Sequence, residues 1–298
     1  MSEDKQRQLE AEVGHPGDLN DELLQRVQDQ GITLFSKVES DWLRLMWALD
    51  RYRIETVAPR GMGNEKVSEA ARIGAVYRMK GNWFAKLVAA LLQNRTHQEI
   101  AAKGSVQGFS QWHQVDVSWP PRDKDPLVCI ETKVTGAPAY GTTPNRGATA
   151  DFSNRRKEVK FAATDLKLFR RQQDTAIEHW GVWRAAAPPK TYFMWAARLR
   201  TGGRSPDNLN TLIHEAQVLV NTYLEGAGIL AWRERSDGKG YEVVPPPQTA
   251  QVTALDDVLY RVATEIRQLA PEGEIPPPQE PSERTVDMQK LVPDEKEE

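Results

Sequence analysis

The sequence has almost no cysteine, no long apolar run and no histidine cluster. Cys129 is the only cysteine, which excludes an internal disulfide and a cysteine-cluster zinc site. No apolar run approaches the roughly 18 residues that cross a membrane, and the polar N-terminus lacks the apolar core of a signal peptide. The five histidines are scattered, without the spacing of a histidine metal motif. We therefore expect a cytoplasmic protein that makes no contact with a membrane.

The net charge is also small, but its distribution along the chain is uneven. Residues 1–40 carry nine acids and four bases, and residues 270–298 carry nine acids and three bases. Because the whole chain has a formal charge of −3, residues 41–269 carry about +8. A basic middle between acidic ends suits a body that binds a polyanion, although an ordinary soluble protein can show the same pattern.

Composition and periodicity divide the chain into four segments. Residues 1–18 are expected to be disordered, and residues 19–80 to form a helical N-terminal region with a break at Pro59–Gly63. Residues 81–270 are expected to form the main α/β domain. The acidic, proline-rich tail 271–298 is again expected to be disordered.

The main domain opens with a predicted helix that begins at Gly81 and Asn82 and ends near Asn94. Three strands, a helix and a strand are then predicted, at 106–112, 114–119, 127–134, 155–172 and 192–199. A helix, a strand and a final helix follow at 207–225, 229–233 and 255–269. The order helix, three strands, helix, strand predicts an α/β core in which the second and third strands form a hairpin.

Three charged residues lie in the two clearest strands of that hairpin. Glu131 and Lys133 are two residues apart, so both point to one face of their strand, and Asp116 lies on the neighbouring strand. Burying a lone charge costs several kcal/mol, so charges in an apolar strand need a partner or a metal.

The chemistry of these three residues points to hydrolysis of a phosphodiester. Asp116 and Glu131 offer the hard oxygen ligands that Mg²⁺ prefers. A lysine beside the metal can orient an attacking water, help that water lose a proton, or neutralise charge on a phosphate. Together they predict metal-assisted phosphodiester hydrolysis.

This arrangement resembles the PD-(D/E)XK nuclease superfamily, over about residues 81–200. Asp116 corresponds to the first acid of its motif and Glu131-Thr132-Lys133 to the E-x-K, while Val115 stands in place of the proline. The resemblance implies a restriction-endonuclease-like αβββαβ core with a mixed central sheet, and a catalytic domain at 81–270. It implies that Asp116, Glu131 and the Thr132 carbonyl bind Mg²⁺, with Mn²⁺ as a substitute, and that Lys133 acts on the attacking water.

The resemblance also implies a substrate and a setting. The expected activity is endonucleolytic cleavage of DNA, with restriction or phage defence as the biological role. Such enzymes often dimerise to cut both strands, so a homodimer is possible.

One feature departs from the family pattern. Many members carry another acid on the helix before the first strand, but Ala85 and Lys86 stand where a glutamate is expected. Glu65 or Glu69, on the preceding predicted helix, could substitute for that missing acid. Without either, the site has two acids, which can still hold one metal.

Basic residues on the helix 155–172 suggest contacts to a nucleic acid. A stripe at helical spacing could contact the phosphate backbone, and it comprises Arg156, Lys160, Lys167 and Arg171. Arg155 and Lys157 lie near the helix N-terminus, where the helix dipole also attracts phosphate. The alternative is a solvated helix face with Glu158 and Asp165 interspersed.

Two other functions remain open on the sequence alone. A protein with this fold that binds nucleic acid or partners without cleaving would fit the departure at Ala85. A structural α/β protein, in which Glu131 and Lys133 form a surface ion pair, would show low burial of both side chains.

Overall fold

The computed structural model describes residues 7–8, 11–52, 69–123, 126–139, 144–150, 152–171, 188–202, 206–245, 249 and 251–270. For residues 52, 69–73, 170 and 171 it describes the backbone alone. The predicted disordered tail 271–298 and the predicted break at 59–63 lie outside these residues. Within them the chain forms an α/β fold around one seven-stranded sheet.

The described residues include six longer helices and seven strands. The helices are α1 (Pro16–Asp29), α2 (Glu39–Tyr52), α3 (Glu69–Thr96), α4 (Phe152–Arg171), α5 (Leu209–Val220) and α6 (Leu255–Leu269), with a short 3-10 turn at Phe35–Lys37. The strands are β1 (Ala101–Gln107), β2 (Trp112–Trp119), β3 (Val128–Thr135), β4 (Lys190–Arg198), β5 (Gly226–Glu234), β6 (Tyr241–Val244) and β7 (Val252–Thr253).

The sheet is mixed, and its strands from β1 to β6 lie side by side in chain order. The pairs β1–β2 and β2–β3 are antiparallel, whereas β3–β4 and β4–β5 are parallel. Strand β6 pairs antiparallel with β5, and β7 pairs parallel with it. The predicted α/β class with a mixed sheet is therefore confirmed, as is the order helix, three strands, helix, strand from α3 to β4.

Strand β4 is buried on both faces, as expected for a parallel strand in the middle of a sheet. Tyr192 and Met194 pack into the larger apolar cluster, which contains residues of α2, α3 and α6. Phe193 and Trp195 pack into a second cluster with residues of α4 and α5. The sheet therefore lies between two helical layers.

Two predictions about the helices were wrong. The predicted helix break at Gly81 is absent, because α3 continues for 28 residues from Glu69 to Thr96. A glycine inside a helix costs only about 1 kcal/mol relative to alanine, and the buried neighbours Lys80 and Phe84 offset that cost by tertiary packing. Within the predicted helical N-terminal region, the Phe35–Lys37 turn separates α1 from α2. Helix α1 also begins at Pro16, inside the segment predicted to be disordered.

The observed strands differ from the predicted ones at two points. The first strand lies at Ala101–Gln107 rather than 106–112, and strands β6 and β7 were not predicted. Glycine, alanine and lysine are poor strand formers, so β1 has a weak sequence signal. No helix among the described residues is long and apolar enough to span a membrane.

Candidate active site

Asp116 lies where the pairing between β2 and β3 stops. The last paired residues on that side are Val117 and Ile130. Beyond them the Asp116 carboxylate accepts hydrogen bonds from the Thr132 backbone N–H at 2.7 Å and from the Thr132 hydroxyl at 2.9 Å. A side-chain carboxylate thus takes the place of a strand carbonyl, which satisfies a buried donor and fixes the Asp116 side chain.

The direction of the side chains on β2 also changes at Asp116. Val117 packs in the larger apolar cluster, whereas Val115 packs with Cys129 and Leu166 in a small separate cluster. Regular alternation would place Val115 and Val117 on the same face. The strand is therefore distorted at Asp116, where the carboxylate emerges.

Strand β1, which pairs with β2, is also distorted at the position opposite Asp116. Ala102 pairs with Val117 and Gly104 with Val115, which puts Lys103 opposite Asp116. Lys103 has a φ of 59°, a left-handed conformation that costs on the order of 1 kcal/mol or more outside glycine. Such strained residues are often found at functional sites.

Two lysines neutralise the two carboxylates of this region. Lys103 forms an ion pair with Asp116, and Lys133 forms one with Glu131. The Asp116 side chain is 5% exposed and that of Lys103 is 34% exposed, while Glu131 and Lys133 are each 22% exposed. We call these four residues the open cluster, because its lysines reach solvent.

Burial and neighbouring charge perturb both residues of the second pair. Burial raises the pKa of Glu131 to about 7; the positive charge of Lys133 opposes this rise, and the negative charge of Asp116 adds to it. Burial alone would lower the pKa of Lys133, but the carboxylates of Glu131 and Asp116 outweigh it and raise that pKa above its usual value. The lysine therefore stays protonated, and Glu131 titrates near neutral pH.

A pocket of about 250 Å³ opens beside the open cluster. Its lining includes Lys103, Asp116, Thr132 and Lys133, together with residues of α3, α4 and the segment between β3 and α4. Glu131 instead lines a smaller cavity under α4, but it contacts Lys133 and is close enough to Asp116 for their charges to interact. The three predicted catalytic residues are thus brought together by two neighbouring strands.

The helix before the first strand brings no carboxylate to this pocket from its described side chains. It contributes Tyr77, Arg78 and Asn82, and Ala85 is fully buried elsewhere in the core. Glu65 lies outside the described residues. Glu69 begins α3, but its side chain is also outside them, so its part in the site stays a prediction.

The predicted basic stripe on α4 makes contacts within the protein. Arg156 bonds to Glu215 at 2.9 Å, and Lys167 bonds to Glu225 at 3.0 Å. Lys160 lies 4.7 Å from the centre of the Tyr223 ring. These side chains help to attach α4 to α5 and its following turn, and their contact with a nucleic acid stays a prediction.

The other basic residues predicted on α4 differ in location. Arg155 lines the pocket and forms an exposed ion pair with Glu158. Lys157 is exposed, and the Arg171 side chain lies outside the described residues. Of the five predicted nucleic-acid contacts whose side chains the structure describes, only Arg155 lies at the pocket.

Three basic residues of this site were not predicted from the sequence. Lys103 was missed because the first strand was placed too late in the chain, which hid its register with Asp116. Arg78 was hidden by the predicted break at Gly81, since helical spacing through that glycine puts Arg78 and Asn82 on one face. Arg146 lies in a segment without periodicity, and no sequence signal places it here.

The donor chemistry of the open cluster fits a hard divalent cation. Two carboxylates and the Thr132 carbonyl are oxygen ligands of the kind that Mg²⁺ binds. Among the described residues no group of three or more His, Cys, Asp or Glu side chains is close enough to hold a metal. A cation at this site would therefore rest on two acids and would compete with Lys103 for Asp116.

Comparison with known proteins identifies no relative. No model of a protein family matches the chain, and no curated protein or solved structure matches it either. The assignment of a function therefore depends on the residues of the site.

Proposed function

We propose that the protein is a Mg²⁺-dependent endodeoxyribonuclease that resembles the PD-(D/E)XK nucleases. One observation carries this proposal: Asp116 and Glu131, each paired with a lysine, lie on the adjacent strands β2 and β3, and the other charged residues of the pocket that Asp116 lines are basic. Carboxylates suit a metal, and the surrounding bases suit a substrate that carries phosphate.

Each residue of the cluster has a proposed role. Asp116, Glu131 and the Thr132 carbonyl hold the cation, and the two hydrogen bonds from Thr132 fix the Asp116 carboxylate for this purpose. A bound Mg²⁺ would supply Lewis-acid stabilisation of the charge that develops on the phosphate.

Lys133 is proposed to orient the attacking water and to neutralise phosphate charge. Its raised pKa keeps the ammonium protonated at neutral pH, so a role as the base that takes a proton from water is disfavoured. An ammonium held beside the reacting phosphate stabilises negative charge without reorganisation during the reaction.

The biological setting is part of the same proposal and rests on the family resemblance. We propose DNA as the substrate and restriction or phage defence as the role. A homodimer would let one assembly cut both strands.

The test is incubation of the purified protein with plasmid and phage DNA, in Mg²⁺ and in EDTA. Wild type should cut in Mg²⁺ alone, and Lys133→Ala and Asp116→Ala should each lose about 10²-fold or more in rate, as for loss of a positioned catalytic group. Lys239→Ala is the matched control, because it removes an exposed lysine between β5 and β6, outside the pocket. Metal-dependent cutting that survives both site substitutions would refute this assignment.

A second candidate is a protein that binds nucleic acid without cleaving it. The observation that favours it is that both carboxylates are already neutralised by lysines, while the described part of α3 supplies no acid. Tight DNA binding in EDTA, with no product in Mg²⁺ or Mn²⁺, would support this candidate over the first.

A further inference from the structure

The pocket beside Asp116 has an excess of positive charge. Of its 14 lining residues five are basic and one is acidic. Lys103 and Lys133 pair with the carboxylates of the open cluster, and the other three basic residues of the lining are arginines, namely Arg78, Arg146 and Arg155. A concave surface lined by one sign of charge focuses the electric field and concentrates the opposite ion.

The three arginines come from three separate parts of the chain. Arg78 lies on α3, Arg146 lies between β3 and α4, and Arg155 lies in the first turn of α4. The Arg146 guanidinium lies 5.4 Å from the centre of the Tyr77 ring, which connects its segment to α3. The N-terminal end of α4 also attracts anions through its unpaired N–H groups and dipole.

The backbone that carries Arg146 is held in place from one side by β4. Arg146 and Ala137 exchange backbone hydrogen bonds of 2.9 and 3.1 Å. The preceding Asn145 accepts a 3.1 Å hydrogen bond from the guanidinium of Arg198, a buried residue at the end of β4.

The residues after Arg146 are held by a second buried group. The Ala148 N–H donates a 2.9 Å hydrogen bond to Asp207. A Cβ on Gly147 would lie 2.6 Å from the same carboxylate, so only glycine fits there. Arg146 therefore projects from a fixed backbone, which reduces the entropy lost on binding a ligand.

We propose that Arg78, Arg146 and Arg155 form a binding site for one phosphate group of a nucleic-acid strand, adjacent to the phosphate that is cleaved. The identity of the substrate rests on the proposed function, but the phosphate site itself does not. Guanidinium groups suit this task because their planar forks donate paired hydrogen bonds to phosphate oxygens. The ion pair of Arg155 with Glu158 is exposed at both ends, so exchange for a phosphate costs little.

The test is binding of fluorescent single-stranded DNA to the full chain in EDTA, measured by anisotropy at several salt concentrations. Arg146→Ala and Arg78→Ala should each weaken binding by roughly tenfold, as for loss of a charge-assisted contact. Each should also reduce the slope of log K against log salt by about 0.7, the value for one phosphate on a single strand. Arg233→Ala is the control, because it removes an exposed arginine of β5 that pairs with Glu242 outside the pocket.

No binding by wild type would overturn the phosphate site, and so would equal weakening by Arg233→Ala and the pocket variants. Arg78→Glu, which leaves the anchored backbone of Arg146 untouched, should abolish binding, and unchanged binding would also overturn the proposal. Three probes distinguish the source of the phosphate, namely a 5′-phosphorylated strand, a 5′-hydroxyl strand and a circle. Binding of the circle identifies an internal phosphate, and a requirement for the 5′-phosphate identifies a strand end.

The same variants separate this proposal from the proposed nuclease activity. Weakened binding by the pocket variants with no DNA cleavage by wild type would support the phosphate site and refute the nuclease. Cleavage by wild type with unchanged binding by the variants would refute the phosphate site alone.

Discussion

Two clusters of buried charge differ in whether their lysine reaches solvent. In the open cluster, Lys103 pairs with Asp116 and is 34% exposed. In the second cluster Lys80 pairs with Asp50, and the two side chains are only 1% and 6% exposed. We call the second set the closed cluster, and it comprises Asp50, Lys80, Arg198 and Tyr241.

The closed cluster satisfies its charges by internal hydrogen bonds. The Tyr241 hydroxyl donates to Asp50 at 2.7 Å and accepts from the Arg198 guanidinium at 3.1 Å. Such a network stabilises one arrangement of α2, α3, β4 and β6 and offers no group to a ligand. A buried lysine–aspartate pair is therefore not in itself a sign of an active site.

Two residues of the closed cluster also help to position arginines of the pocket. Lys80 lies two residues after Arg78 on α3, and Arg198 bonds to Asn145 beside Arg146. We infer that the closed cluster fixes the positions of neighbouring residues, whereas a ligand can displace the lysines of the open cluster from their carboxylates.

The largest expected effect separates the two lysines. Lys80→Met should destabilise the fold by about 3–5 kcal/mol, because it leaves a buried carboxylate without its counter-charge. Lys103→Met should cost only about 1 kcal/mol, since Asp116 keeps its bonds from Thr132 and the lysine is partly solvated. Urea unfolding in EDTA measures the free energy of unfolding of both variants. Equal losses of stability would contradict the proposed difference between the two clusters.

The pH dependence of stability should come next in size. Between its ordinary pKa of 4.5 and its folded pKa of about 7, Glu131 keeps its proton in the folded state but loses it in the unfolded state. Stability should therefore fall as pH rises through this interval, by at most about 3 kcal/mol, and level off above it.

Urea unfolding in EDTA at pH values from 4 to 8 measures this effect as a difference between wild type and Glu131→Gln. The glutamine cannot ionise, so the difference should grow with pH in favour of the variant. A difference that is constant across the series would show that burial does not perturb Glu131 as described.

Competition between Lys103 and a cation should give a smaller effect. Lys103→Met removes the ammonium that occupies Asp116, so the affinity for Mn²⁺ should rise on the order of tenfold. Isothermal titration with Mn²⁺ measures the affinity, with Lys157→Met as the control for loss of an exposed charge. Weaker binding by the Lys103 variant would instead show that the lysine supports the cation site.

The smallest expected effect is that of a substitution at Gly81, which lies on α3 between Arg78 of the pocket and Phe84 of the core. A Cβ on Gly81 would meet nothing within 4 Å, so Gly81→Ala should stabilise the protein by about 0.5–1 kcal/mol through helix propensity. Gly136→Ala is the contrast, because its φ is +79° and the added Cβ would collide with the Arg198 backbone. The midpoint temperature of thermal unfolding should rise for Gly81→Ala and fall for Gly136→Ala.

The sequence predicts the part of this site that depends on local pattern. The apolar runs around Asp116 and Glu131 identify two strands, and a short turn between them predicts an adjacent pair. Asp116 and Glu131 were therefore assigned correctly to neighbouring strands. Trp42, Leu45 and Leu49 also recur at helical spacing, and all three are fully buried on α2.

The rest of the site depends on contacts between distant parts of the chain. Lys103 joins Asp116 through strand register, and Arg146 is held by Ala137, Arg198 and the buried Asp207. None of these contacts has a local periodicity. The continuity of α3 through Gly81 likewise depends on tertiary packing that outweighs helix propensity.

The most direct test of the open cluster as a cation site is a crystal of the protein soaked in Mn²⁺ and measured at the manganese absorption edge. We expect one anomalous peak in contact with Asp116 and Glu131, with Lys103 displaced from Asp116. The same soak of Asp116→Asn should lack that peak. A peak elsewhere, or none beside Asp116 in the wild-type protein, would show that the open cluster is not a cation site.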